Sequence, residues 1–347
     1  MNSLEAVAIN AAAFVITLAL FGVYVATLGH NPLDVYYVLW LGSFARQISV
    51  ESTLTNAAPL MLTALCTAIP ARAGLLVIGG EGALVVGGVA TVLAGVLVAG
   101  APFLLGVAVM SLAGALAGGL WIAFAGALRQ YRGVNETIST LLLNYIAIAV
   151  MYHLITGPMR DWERVLKTSS WSIPDELRVG ALPVIDVHWG LAAGVTVCLI
   201  LYVVMRRTTF GFGVDVLGGN PRAAQMAGLP INRLVLICCF MGGAAAGLAG
   251  AFEVTAVHGF ASESLVVGFG YAGILVAFLS RQNPAAIIFL AIILGGVAAS
   301  GGLLQRRFDL PDATTQVLQG LLFMIVLASN AAYGRLNVFQ PAAWRTA

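Results

Sequence analysis

The run Gly82–Leu128, GALVVGGVATVLAGVLVAGAPFLLGVAVMSLAGALAGGLWIAFAGAL, contains no charged residue. A helix crossing a membrane needs about 20 mostly apolar residues, so this run is too long for one crossing. Gly100-Ala101-Pro102 divides it, because proline has no backbone N–H with which to continue a helix. Two spans result, near Gly74–Ala99 and Pro102–Leu128. The same reading, carried outward, places further spans near Ala6–Gly29, Ser52–Ala71, Asn135–Gly157, Val187–Met205, Leu234–Val257, Ser264–Ser280, Pro284–Leu304 and Ala313–Gly334. The expected fold is all-α: a polytopic membrane protein with about ten transmembrane helices in a single domain over 1–347.

Composition leads to the same class. Of 347 residues, 60% are hydrophobic and 9% charged, and the mean hydropathy is +0.95. A soluble domain carries about 25% charged residues to wet its surface; a chain this poor in charge faces a lipid bilayer. The net charge of +2 is too small to indicate nucleic-acid binding. The cysteines Cys66, Cys198, Cys238 and Cys239 lie in apolar stretches without C-x-x-C spacing, which fits small buried hydrophobes and indicates no metal site or disulfide framework. Met1–Asn10 has no basic segment and no cleavage site, so a removable signal peptide is not expected.

Two segments fall outside the span pattern. Val35–Phe44 is apolar but too short to cross, and reads as a re-entrant or interfacial segment. Pro158–Asp186 carries charges of both signs and two tryptophans, and reads as an extracytoplasmic cap loop. With the N-terminus inside, ten basic residues fall in cytoplasmic loops, Arg335 and Arg345 among them, and seven outside, including Arg164 and Lys167. The positive-inside rule then puts both termini in the cytoplasm. Glu81-Gly-Ala-Leu-Val-Val-Gly echoes Glu263-Ser-Leu-Val-Val-Gly at the start of oppositely directed spans, the organisation of an inverted repeat.

The loop 206–233 reads RRTTFGFGVDVLGGNPRAAQMAGLPINR. Asn220 suits a helix N-cap, Pro221 the first helical turn, Gly228 a left-handed stop, and Pro230 prevents continuation. One short helix between glycine hinges is expected, and a loop this long with a capped helix exceeds what a helix–helix connection needs. It reads as a surface helix that docks a partner.

The stretch Gly218–Leu229, G-x-N-P-x-A-A-x-x-x-G-L, resembles the coupling loop of ABC-importer permeases for simple sugars, nucleosides and branched-chain amino acids. Arg132-Gly-Val-Asn-Glu-Thr-Ile-Ser-Thr-Leu-Leu-Leu-Asn-Tyr-Ile-Ala147 and Ile78-Gly-Gly-Glu-Gly82 are similar to the nucleoside-type branch, and with the cap loop the resemblance spans nearly the whole chain. That branch usually has Asn in place of Val77, Gln in place of Ala83, and a basic residue near Asp215. The resemblance implies a permease that works as a pair, with itself or with a related chain. It implies ATPase subunits docked on Gly218, Asn220, Pro221, Ala223, Ala224 and Gly228, and a substrate-binding protein on the outer loops. The expected cargo is a nucleoside or related small polar solute; a simple sugar, or an uncoupled channel or secondary transporter, is the alternative.

No G-x-x-x-x-G-K-[ST] occurs and the only lysine, Lys167, lacks a glycine-rich context, so this chain forms no P-loop. ATP and Mg are expected on the partner ATPase, no cofactor or metal on this chain, and no catalysis by it. His30, His153, His188 and His258 are scattered singly.

For the translocation pathway the candidates are Glu81, Asn135, Glu136, Asn144, Tyr145, Glu253 and His258. A carboxylate within a span costs about 2.5–3.5 kcal/mol on insertion scales, so Glu81 is expected to face the interior, either gating the pathway or closing a cap. Gly79-Gly80-Glu81-Gly82 is expected to unwind a helix inside the bundle. Asn144 and Tyr145 either line the pathway, where a neutral nucleoside suits them chemically, or bridge helices. Glu253 and His258 are expected at an outer entrance.

Overall fold

A computed structural model describes residues 3–163, 168–183, 185–311 and 313–331. Arg164, Lys167, Arg335 and Arg345, counted for orientation, and the end of the last expected span lie outside these. Thirteen α-helices and no strands occur among the described residues. Seven helices are long and apolar enough to cross a membrane, or eight if one bent pair counts as a span. Two shorter apolar helices occupy the remaining positions of the ten-span reading.

The chain divides into two compact units, Met1–Thr53 with Gly296–Ala347, and Leu54–Gly295. In the first, α1 (Ser3–Thr27) turns into α2 (Pro32–Ser43) through a 114° bend. Asn31 caps α2, its side chain accepting from the Leu33 N–H at 3.1 Å, and Pro32 opens the helix. The short apolar patch is thus a helix bent back from the first span. The Tyr36 hydroxyl donates to the Leu18 carbonyl, which fixes the bend, and Phe21, Val25, Val35, Val38, Leu304 and Leu318 form the core.

Helix α3 (Gln47–Arg72) leads into the second unit, which contains α4 (Gly80–Leu97), α5 (Phe103–Arg132), α6 (Glu136–Thr156), α7 (Gly190–Arg207), α8 (Thr209–Gly219), α9 (Pro221–Met226), α10 (Ile231–Phe252) and α11 (Phe269–Leu279). Helix α12 (Pro284–Phe308) leads out to α13 (Ala313–Ala331).

The centre of the second unit is α4, α5 and α10, packed through small residues. A Cβ on Gly247 would lie 2.1 Å from the Gly114 carbonyl oxygen, and one on Gly250 would lie 2.0 Å from that of Leu84. Lipid tails are as apolar as leucine, so burial alone does not drive helices together in a membrane. Close backbone approach and dispersion contacts do, and glycine permits both.

Three local expectations need correction. The glycine cluster does not unwind: Gly80–Gly82 lie in the first turn of α4, and the non-helical stretch is Leu75–Ile78, just before it. The cluster's glycines serve close contact instead, a Cβ on Gly82 falling 2.9 Å from Asn144 Cα. The span expected from Ser264 becomes α-helical only at Phe269, after a 3-10 turn at Glu263–Leu265, so the two echoing segments are not alike in structure. Loop 206–233 holds two helices, α8 and α9. Thr208 caps α8, accepting from the Gly211 N–H at 3.3 Å, and Gly218, read as a hinge, is a packing point: a Cβ there would lie 2.0 Å from the Arg72 carbonyl oxygen.

Candidate functional site

Past Leu75, whose N–H donates to the Pro70 carbonyl of α3 at 3.1 Å, the non-helical residues Leu76–Ile78 present backbone donors and acceptors outside any helical ladder. Leaving such groups bare at membrane depth costs several kcal/mol each, so the bundle must supply partners. One line of α6 does so. The Leu76 N–H donates to Glu136 Oε1 at 3.3 Å, and Thr137 Oγ1 donates to the Leu76 carbonyl at 3.0 Å. The Ile78 N–H donates to Thr140 Oγ1 at 3.1 Å. Asn144 then uses both ends of its amide: Nδ2 donates to the Ile78 carbonyl at 2.9 Å, and Oδ1 accepts from the Gly82 N–H at 2.8 Å. From α3, Thr67 Oγ1 donates to the Val77 carbonyl at 3.0 Å.

Glu136, Thr140 and Asn144 recur every four residues, which on a helix stacks them along one face. This face works as a side-chain ladder for an extended backbone. Asn135 caps the same helix, its Oδ1 accepting from the Thr137 and Ile138 N–H groups at 2.9 and 3.2 Å. Arg129 donates to Glu136 Oε2, so the ladder's first rung is charge-paired. The fourfold spacing of Glu136, Thr140 and Asn144 was readable beforehand; the partner strand of backbone was not.

Glu81, fully buried, closes a second junction. Its Oε1 accepts from the Gly268 N–H at 2.8 Å and its Oε2 from the Gly270 N–H at 2.6 Å. These are the orphan donors at the N-terminus of α11, where the helix dipole favours an anion. Gly268 holds φ +93°, a backbone state that glycine reaches without strain. Of the two roles considered for Glu81, the cap is the one visible in its contacts, and the helix it caps is α11. Val77 and Ala83 are both buried, facing the bundle interior.

Tyr145 is unlike its neighbour Asn144. Asn144 is fully buried, whereas Tyr145 is 62% exposed on the surface of the unit. Glu253 lies 3.7 Å from His258 Nε2 on a π-helical turn, Glu253–His258, that ends α10. The cap loop covers this turn: the Val179 N–H donates to the Thr255 carbonyl at 3.1 Å, and the Ile173 N–H to that of Gly259 at 2.8 Å. Glu253 itself is buried. Nearby, His188 Nδ1 accepts from the Gly190 N–H at 3.1 Å.

At the other end of the unit, α9 is closed at both termini. Asn220 Oδ1 accepts from the Arg222 and Ala223 N–H groups at 3.0 and 3.2 Å. Gly228, at φ +72°, lets the chain reverse so that the Leu229 N–H reaches the Ala224 carbonyl at 3.1 Å. Ala224 is wholly buried within the chain and seats the helix. Pro221, Arg222, Ala223, Gln225 and Met226 face outward, Met226 at 89% exposure. Asp215 on α8 pairs with Arg72 at the end of α3, 2.9 Å apart, and Gln130 on α5 with Asn232 on α10 at 2.6 Å. The loop is thereby tied to the same end of the bundle at which Leu75–Ile78 enters. Met226 and Arg72 were not among the expected site residues, and Asp215 was noted only as standing where the resembling branch has a basic residue; the position of Met226 between the two capped ends was the available signal. Among the described residues no cluster of His, Cys, Asp and Glu is placed to hold a metal ion.

Residues 49–327 match the family described as branched-chain amino acid transport system / permease component. The chain is similar to a glucose ABC transporter permease protein of Haloferax volcanii, 30% identical over 90% of this chain and 85% of that protein. It is also similar to a guanosine ABC transporter permease protein of Bacillus subtilis, 28% identical over 92% of each. A nucleoside ABC transporter permease protein of Lactococcus lactis is 24% identical over 94% of this chain and 92% of that protein. A solved structure described as an inward-facing metal-chelate type ABC transporter aligns at 14% identity and TM-score 0.48, covering 92% of this chain and 97% of that one. With a multi-pass helical fold and a family match over most of its length, the chain belongs to the branched-chain amino acid transport system / permease component family, as the permease subunit of an ABC transporter.

Proposed function

We propose that this permease subunit imports a nucleoside or related small polar solute, with both termini and α9 in the cytoplasm. Its outward residues Arg222, Ala223, Gln225 and Met226 dock in a groove of an ATPase subunit, which holds the ATP and Mg. A second permease, the same or a related chain, completes the pathway, and a substrate-binding protein delivers the solute on the cap-loop side. The observation that carries the reading is the construction of α9. A six-residue helix is too short to persist alone, yet its ends are capped, its inner face is seated through Ala224, and its outer residues are exposed among the described residues. Movement imposed there passes through Arg72–Asp215 to α3 and to the unwound stretch beside it.

The nucleoside assignment is supported by the guanosine and nucleoside relatives and by the resemblance of Arg132–Ala147 to the nucleoside branch. A simple sugar is the second reading, favoured by the glucose relative at 30% identity. Uptake of tritiated guanosine by proteoliposomes holding the complete importer decides between them. Guanosine should accumulate only with ATP and be displaced by unlabelled nucleosides. If glucose accumulates and guanosine does not, the nucleoside assignment is wrong; if solute accumulates without any ATPase subunit, the coupling role of α9 is wrong.

A further inference from the structure

The outer surface of α6 carries two adjacent lines of side chains with different chemistry. Tyr145, Tyr152 and Thr156 are spaced by seven and four residues and fall on one line; Leu142, Ile146 and Val150, spaced by four, fall on the next. Tyr145 is 62% exposed and Tyr152 37%, against 49% for Ile146. Tyr145 stands about 13 Å along the helix from Glu136 at 1.5 Å per residue. That is near the middle of a hydrocarbon layer about 30 Å thick, whereas tyrosines facing lipid concentrate at the two interfaces.

Two residues from other elements extend the line. Tyr271, in the first turn of α11 and 41% exposed, lies beside Tyr145 with its hydroxyl 3.5 Å from Asn144 Nδ2. Glu263, exposed, faces the Tyr152 hydroxyl. The backbone beside Glu263 is held by the cap loop, the Ala261 N–H donating to Ser170 Oγ at 2.8 Å. Three phenols and a carboxylate in one column suit water rather than lipid. The column contains no lysine or arginine, and each tyrosine offers a ring face together with a hydroxyl.

We infer that Tyr145, Tyr152 and Tyr271 form a stacking track for a neutral solute bearing a planar ring, with Glu263 accepting hydrogen bonds from it at the cap-loop end. The inference rests on the nucleoside reading above and assigns the surface that would carry it. In the complete importer, Tyr145→Ala and Tyr152→Ala should each lower guanosine uptake about tenfold, the scale of one lost base–aromatic stack. Tyr145→Phe, which keeps the ring, should stay within about twofold. Tyr145→Cys and Tyr152→Cys should react with a membrane-impermeant thiol reagent, more slowly when guanosine is present, while Ile146→Cys should not react. The four native cysteines are all buried and give little background.

Tyr145→Ala uptake at the unmodified rate, or labelling of Tyr145→Cys that guanosine does not slow, would overturn the track. So would a complete lack of labelling, the result if lipid or a second permease covers the line. Should the unmodified importer take up no guanosine at all, the nucleoside reading has failed, and the labelling pattern separately decides whether the line is water-filled.

Discussion

Two polar regions of the second unit are built from the same residue types to opposite ends. In the α6 ladder, Glu136, Thr140 and Asn144 are buried and their side chains are spent on the backbone of Leu76–Gly82. In the α9 loop, Asn220 performs the same kind of backbone capping, but the helix it starts presents Arg222, Gln225 and Met226 to the exterior. A closed network stabilises the fold and says little about what the protein binds. An open surface on a rigid, capped element contributes little to stability and is available to a partner. Substitutions in the two regions should therefore separate folding from function.

The largest effect is expected at Asn144. Asn144→Ala strips a partner from the Ile78 carbonyl and the Gly82 N–H at once, and each buried polar group left unsatisfied costs about 1–3 kcal/mol. Folded yield in detergent should collapse, and what remains should melt many degrees lower. Asn144→Asp retains the acceptor for Gly82 and should fall between. An Asn144→Ala protein that melts like its parent would dissolve the distinction between the closed and open regions. Glu81→Gln comes next: it keeps the size but removes the charge and one of the two acceptors at the start of α11. Detergent melting should fall by less than for Asn144→Ala.

In the open region the expectation reverses. Met226→Glu or Ala223→Glu should leave melting unchanged, because both side chains already face outward. Retention of the ATPase subunit on the purified permease should drop about tenfold, and ATP-driven uptake should fall with it. Ala224→Glu is a different experiment, since Ala224 is fully buried, and should damage the loop itself.

Span positions were legible because lipid imposes a length and an apolar composition on each crossing, and Gly82–Leu128 with its Gly-Ala-Pro break meets both demands. The caps of α9 were legible because Asn220, Pro221 and Gly228 act on neighbours within a few residues. Where partners are distant in sequence the reading fell short. Leu75–Ile78 looks like ordinary span sequence, and most of the side chains that satisfy its non-helical path come from α6, some sixty residues later. Glycine is ambiguous in the same way: Gly218 resembles a hinge until Arg72 is found against it. The split between Asn144 and Tyr145, one inward and one outward, follows from helical phase, but only once the inward face of α6 is known.

The smallest effect belongs to the link between the two regions. Arg72 and Asp215 join the end of α3 to α8 at 2.9 Å, with the Asp215 side chain 49% exposed. An exposed pair loses most of its Coulomb energy to solvent and salt, so Asp215→Asn should cost at most about 1 kcal/mol and shift melting little. Its place between the docking helix and the unwound stretch makes a different quantity informative. If force on α9 passes through this pair, Asp215→Asn should lower the solute carried per ATP hydrolysed while ATPase binding stays intact. High salt, which screens the parent's pair, should narrow the gap between parent and variant. A transport-to-hydrolysis ratio that is identical in parent and variant at low salt would show that the glycine contact of Gly218 with the Arg72 backbone, and not the ion pair, is what joins the two regions.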